Sequence, residues 1–170
     1  DSTANATSRV FSGLVFLSSD AATQGTNSDG VWVQDADTVT VQYLDSAGTV
    51  LDSDTVTVDG VKPTIAAITP ADGSVTNVAN PTVTFDVTDS GSGISTTNFA
   101  TDLTLAINGT AVSNISFQAI ADGFRAIYAS GVAWTTATTT TGGFAVTDSA
   151  EFSLTITATD QAGNTQTVET

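Results

Sequence analysis

The chain has no cysteine, no histidine and no methionine, and its 170 residues include only three cationic side chains. Each absence closes a class of chemistry. Without cysteine there is no disulfide framework and no thiolate metal site. Without histidine or cysteine the Ser-His-Asp and Cys-His arrangements of nucleophilic catalysis cannot be built. Zn²⁺ and copper also lose their preferred ligands. Three cations cannot neutralise a phosphate backbone, so nucleic acid is not an expected partner, and an anionic membrane surface is excluded on the same ground. No apolar run is long enough to span a bilayer as a helix. The only lysine, Lys62, sits beside Pro63 in a segment that reads as a linker. Carboxylate pairs for glycoside hydrolysis are permitted by residue type, but no apolar pocket that would raise one of their pKa values is visible. Gly91-Ser92-Gly93 resembles part of a phosphate-binding loop, yet no helix is expected after it. The expectation is a protein that is not an enzyme.

What remains is acidic and suited to strands. Eighteen acids, nearly all Asp, stand against the three bases for a net charge of −15, while hydrophobic residues make up 40%. That apolar content is enough for a core. Thr and Val fit half-buried pleated surfaces, and Asp and Gly fit turns. Helical periodicity is absent and period-two alternation recurs, so the fold class is all-β. Strands are expected over 10–17, 30–33, 38–44 and 49–58. A stiff linker follows at Asp59-Gly60-Val61-Lys62-Pro63, where the residue before proline is held extended. Beyond it, strands are expected over 64–69, 75–78, 82–88, 103–107, 111–119, 124–129, 152–159 and 165–169. The Asn108-Gly109 pair marks a hairpin. The division is therefore residues 1–60 as a partial or small β unit and 61–170 as a complete sandwich of about seven strands, the pattern of an immunoglobulin-like domain. Its expected core is Ile65, Val83, Phe85, Val87, Leu103, Leu105, Ile107, Phe117, Phe124, Ile127, Trp134, Phe152, Leu154 and Ile156.

Residues 39–48, ending Leu44-Asp45-Ser46-Ala47-Gly48, align without a gap with residues 154–163, ending Thr159-Asp160-Gln161-Ala162-Gly163. Self-similarity of this kind marks a tandem array, and both ends of the chain read as cuts in a longer protein. Sandwich topology sends alternate loops to the end from which the first strand starts. Asp59 in the linker, Asp89, Asp122, and Asp160 with Asn164 are then expected to converge. Like charges so close repel unless a cation intervenes, and Ca²⁺ accepts six to eight oxygens in irregular geometry. The competing reading is that each Asp serves its own turn. Asp35, Asp37, Asp52 and Asp54 read as a solvated acidic face. Arg125 with Tyr128 offers a small ligand patch at most, and Trp32 and Trp134 fit a core or rim better than a sugar platform. Three glycosylation sequons occur, at Asn5, Asn108 and Asn114. Asn108, at a hairpin tip, has the exposed context a glycan needs. Asn114 reads as partly inside a strand.

The phrases Thr57-Val58-Asp59-Gly60-Val61-Lys62-Pro63-Thr64-Ile65, Thr69-Pro70-Ala71-Asp72-Gly73-Ser74, Val87-Thr88-Asp89-Ser90-Gly91-Ser92-Gly93-Ile94 and Ala158-Thr159-Asp160-Gln161-Ala162-Gly163-Asn164, in this order, resemble the tandem immunoglobulin-like repeats of prokaryotic cell-surface proteins. The style is closest to archaeal S-layer glycoproteins. The resemblance covers residues 57–170 well and 1–44 loosely. It implies an extracellular structural module and a protein coat built from copies of itself and from neighbouring repeats of the same chain. It also implies glycosylation and Ca²⁺ between domains, with Asp59, Asp89, Asp160 and Asn164 as ligands. A spacer in a calcium-dependent adhesin and a carbohydrate-binding module are the alternatives.

Overall fold

The computed structural model describes residues 16–19, 30–75, 78, 81–95, 97–129 and 152–170. The chain divides into two compact units, Asp1–Gly60 and Val61–Thr170. Asn5, Trp134 and most of the strand expected over 10–17 lie outside the described residues.

In the first unit, β1 (Phe16–Ser18) pairs in parallel with β2 (Gly30–Trp32). A separate antiparallel hairpin joins β3 (Thr38–Leu44) to β4 (Val50–Thr57), with Val39 opposite Val56 and a register shift after Tyr43. The turn between them is built by Asp45, whose Oδ1 accepts the amides of Ala47 and Thr49, each at 2.8 Å. Those backbone hydrogen bonds, Thr49's foremost, hold the Asp45 carboxyl below its ordinary pKa. Asp52 and Asp54 are exposed on β4, and each accepts the amide of the next residue. Asp35 accepts the Gly60 amide and Asp37 the Gln34 amide. Asp37, Asp52 and Asp54 serve local backbone, and Asp35 reaches an amide 25 residues away.

The second unit holds β5 (Thr64–Thr69), β6 (Thr82–Thr88), a four-residue helix α1 (Phe99–Asp102), β7 (Leu103–Ile107), β8 (Thr110–Ala111), β9 (Ser116–Ile120), β10 (Gly123–Ala129), β11 (Leu154–Thr159) and β12 (Thr165–Glu169). They form two four-stranded sheets, ordered β5-β6-β10-β9 and β12-β11-β7-β8, with every pairing antiparallel. Both sheets feed one core. Val83, Phe85 and Val87 of β6, Ala126 and Tyr128 of β10, Leu103, Leu105 and Ile107 of β7, and Leu154, Ile156 and Ala158 of β11 are all buried. Fully burying a side chain the size of Val, Leu, Ile or Phe stabilises by about 1.5–3 kcal/mol. Phe99 stacks on Phe117 at 4.0 Å and meets Phe124 edge-on at 4.8 Å, closing one margin of the core.

Three details differ from the sequence expectation. The stretch expected as one strand over 111–119 is two, β8 and β9, in different sheets. Asn114 at φ +65° breaks the extended backbone between them. Val75 and Val78 lie outside any strand. On β10 the inward residues are Phe124, Ala126 and Tyr128, which face Val87, Phe85 and Val83 across the pair. Ile127 sits between Thr84 and Ser116 in register on the other face. A short alanine opposite Phe85 and a tyrosine ring at the core margin satisfy the period of two that Ile127 alone does not.

The outer face of this sheet carries a bidentate pair: Arg125 Nε and Nη2 donate to Asp86 Oδ1 and Oδ2 at 2.7 and 2.8 Å. Tyr128 is buried on the opposite face, so Arg125 and Tyr128 form no common patch. The Arg125 hydrogen bond holds the Asp86 carboxyl below its ordinary pKa. Because the folded pKa is depressed, the pair's contribution is present at neutral pH and is lost as pH falls through the lowered value. Asp86→Asn should therefore change neutral stability little, as expected for a half-exposed pair, while flattening the acid limb of the stability curve. Urea melts at a series of pH values read this directly. An acid limb as steep in the variant as in the wild type would assign that acid sensitivity to other carboxylates.

Candidate metal centre

The turn after β11 is a structural copy of the turn after β3. Asp160 N donates to Asn164 O at 3.1 Å and Gly163 N to Asp160 O at 3.2 Å, where Asp45 N meets Thr49 O at 2.9 Å and Gly48 N meets Asp45 O at 3.0 Å. Gly48 and Gly163 take φ of +82° and +94°, the left-handed region that glycine enters without penalty. The two turns thus share one hydrogen-bond pattern.

In the second unit this turn carries a buried acid. Asp160 is 4% exposed. Its Oδ1 accepts the Asn164 amide at 2.8 Å and its Oδ2 accepts Asn164 Nδ2 at 2.9 Å. Asp89 opens the loop after β6 and is 7% exposed. Its Oδ1 accepts the amides of Gly91 and Gly93 at 3.1 and 2.6 Å, an Asx-type turn. The two loops are joined directly. Gln161 N donates to Gly93 O at 3.0 Å, Gln161 Nε2 to Ser92 O at 3.0 Å, and Ala162 N to the Ser92 hydroxyl at 3.0 Å. Ser92 and Gln161 therefore fix the spacing of Asp89 and Asp160. Sequence reasoning did not single them out, because a polar side chain in a turn carries no mark of which loop it will reach.

Asp59, on the non-strand segment after β4, completes the group. One carboxylate oxygen from each of Asp59, Asp89 and Asp160 lies within 4.8 Å of the other two. At an effective dielectric of about 20, each such pair of ionised groups repels by about 3–4 kcal/mol. Meanwhile Asp89 Oδ2 is buried and has no hydrogen-bond partner among the described residues. An unmatched buried acceptor costs about 1–3 kcal/mol, more when charged. A bound cation relieves both penalties. Carboxylate oxygens suit hard ions such as Ca²⁺, Mg²⁺ and Mn²⁺, so the trio can hold a metal ion.

The other two expected ligands are placed differently. Asp122 stands in the β9–β10 turn at φ +57°, and its carbonyl accepts the Asp89 amide at 3.0 Å. It anchors Asp89 through backbone, and its carboxylate is outside the group of three. Asn164 donates its side-chain amide to Asp160 and so orients that carboxylate.

No protein-family model, no curated protein and no solved structure matches this chain.

Proposed function

We propose that this chain is a structural, non-enzymatic module of a prokaryotic cell-surface coat of the S-layer kind. Its second unit is an immunoglobulin-like sandwich, and a Ca²⁺ ion stiffens the connector that enters it. The sheet orders support the sandwich reading. With β5, β6, β10 and β9 as A, B, E and D, and β12, β11 and β7 as G, F and C, the two sheets follow the constant-type arrangement, with β8 as an added strand beside C. The observation that carries the calcium reading is the buried, unpartnered Oδ2 of Asp89 within a group of three carboxylates. Three carboxylates supply three to six oxygens, and backbone carbonyls and water complete the six to eight that Ca²⁺ takes. The ion ties Asp59 to the loops of Asp89 and Asp160 and so stiffens the segment that carries Asp59. A net charge of −15 keeps copies apart in calcium-free solution and lets divalent cations draw them together.

Two measurements test this. Calorimetric titration should find one Ca²⁺ site per chain that is lost in Asp89→Asn. Electron microscopy of the protein with calcium should show ordered two-dimensional arrays that dissolve in chelator. A calcium site without arrays would favour the adhesin-spacer reading, and no calcium site would remove the stiffened connector altogether.

A further inference from the structure

We infer that β3 is a pairing edge: it takes the β3 strand of a second copy of this chain, antiparallel, so that two hairpins join into one four-stranded sheet. As a contact within a coat this rests on the reading above; as a pairing edge it stands on the geometry of the hairpin.

The β3–β4 hairpin is a sheet of two strands, and among the described residues no third strand pairs with it. Every residue of β4 is exposed, and on β3 only Val39 is partly covered. Val41 is 62% exposed and Val56 57%. Two strands alone are marginal in water, and a third strand or a cover is what stabilises them. The β3 sequence, Thr38-Val39-Thr40-Val41-Gln42-Tyr43-Leu44, holds no charge, no proline and no glycine. Those are the devices that keep a sheet edge from pairing.

The two edges of the hairpin are not alike. In an antiparallel pair, alternate residues turn their N–H and C=O groups toward the partner and those between turn them outward. On β4 the Ser53 amide donates to Asp52 Oδ1 at 2.9 Å and the Thr55 amide to Asp54 Oδ1 at 2.8 Å, so these amides face outward. Each carboxylate occupies a donor that an incoming strand needs, and sets a negative charge beside it. The register places Ser53 opposite Gln42 and Thr55 opposite Thr40. Thr40 and Gln42 are then the outward residues of β3. Val58 N donates to Asp37 O at 2.8 Å, which keeps the same alternation past the strand end. No carboxylate on β3 caps its outward amides, so β4 is the closed edge and β3 the open one.

Charge selects the occupant. Copies carrying −15 each repel over most of their surface, and β3 is an uncharged strip along which two of them can approach. About a twofold axis at Val41, Thr40 lies opposite Gln42 of the second copy and exchanges N–H···O bonds with it on each side of the axis. Val39 then stands across from Tyr43 of the second copy, an aromatic and β-branched pair. Asp37 and Asp45 flank the strand and meet across the axis, so the pairing should tighten as salt screens them.

Sedimentation equilibrium of the full chain, in chelator at fixed ionic strength, should show a reversible monomer–dimer equilibrium. The Thr40 and Gln42 amides should exchange hydrogen more slowly as protein concentration rises, while those of Ser53 and Thr55 do not change. Thr40→Pro removes an outward donor and leaves the ladder to β4 in place. One donor is lost from each copy, so the dissociation constant should rise about tenfold or more. Val41→Asp, which copies onto β3 the arrangement of Asp52 and Asp54, should weaken the dimer in the same way, and Thr55→Pro on the closed edge should leave it unchanged. A chain that stays monomeric up to its solubility limit overturns the inference, as does a dimer that Thr55→Pro dissolves and Thr40→Pro keeps. Dimers without calcium-dependent arrays would strike the coat reading and leave this edge. Arrays that survive in Thr40→Pro would strike the edge and leave the coat.

Discussion

Calcium should raise the melting temperature of this protein, and Asp89→Asn should abolish the rise while making the metal-free protein more stable. At a calcium concentration about a hundredfold above Kd, binding to the folded state alone contributes about 2.7 kcal/mol, a shift on the order of 10 °C for a domain of this size. The variant separates a metal site from an ordinary acidic cluster because its two effects have opposite sign. An asparagine at position 89 keeps an oxygen for the Gly91 and Gly93 amides. Its new amide replaces the unpartnered Oδ2 with a donor beside the carboxylates of Asp59 and Asp160. In chelator that change removes repulsion and should stabilise by about 1–2 kcal/mol. Asp160→Asn is a poorer probe, since its new amide would confront Asn164 Nδ2 where Oδ2 now accepts. Asp122→Asn should keep most of the calcium response, because Asp122 acts through its carbonyl. With so much net negative charge, any salt screens self-repulsion, so the comparison is made at matched ionic strength. Identical melts in chelator and in calcium would remove the metal from this account.

The all-β class was legible because it rests on local chemistry. Val83, Phe85 and Val87 alternate with Thr84, Asp86 and Thr88, and the same period places Leu154, Ile156 and Ala158 inside. The meeting of the loops of Asp89 and Asp160 was legible for a topological reason: antiparallel strands return alternate loops to one end. Other features were not. The split of residues 111–119 between sheets depends on one backbone torsion at Asn114, and asparagine takes extended and left-handed conformations alike. The helix at Phe99–Asp102 is too short to show a period. The separate roles of Asp122 and Asp160 are fixed by which group, carbonyl or carboxylate, faces Asp89, and residue type does not distinguish them. Asn108 read as a free hairpin tip because its partner, Ser153, is remote in sequence.

The largest loss of stability is expected from a residue with no chemistry of its own. A Cβ added at Gly123 would overlap Val87 O and lie 2.8 Å from Thr88 Cα and 2.9 Å from Val87 C. All three are backbone atoms of the partner strand, so no side-chain rotation can relieve the contact. Gly123 pairs in register with Thr88 on β6 and Ile120 on β9, and the start of β10 must therefore move away from β6. Overpacking a strand in this way costs on the order of 3 kcal/mol. Gly109→Ala is the control. Its φ is +73° but no atom lies within 4 Å of the added Cβ, so only backbone strain of about 1 kcal/mol is expected. The displacement also reaches the carboxylates, because Asp122, one residue before Gly123, holds the Asp89 amide through its carbonyl. Gly123→Ala should then weaken calcium binding as well as lower the urea midpoint, whereas Gly109→Ala should leave calcium affinity unchanged. Equal midpoints for the two alanine variants would mean that β10 does not approach β6 this closely. A lowered midpoint with unchanged calcium affinity would mean that the Asp122 carbonyl does not position Asp89.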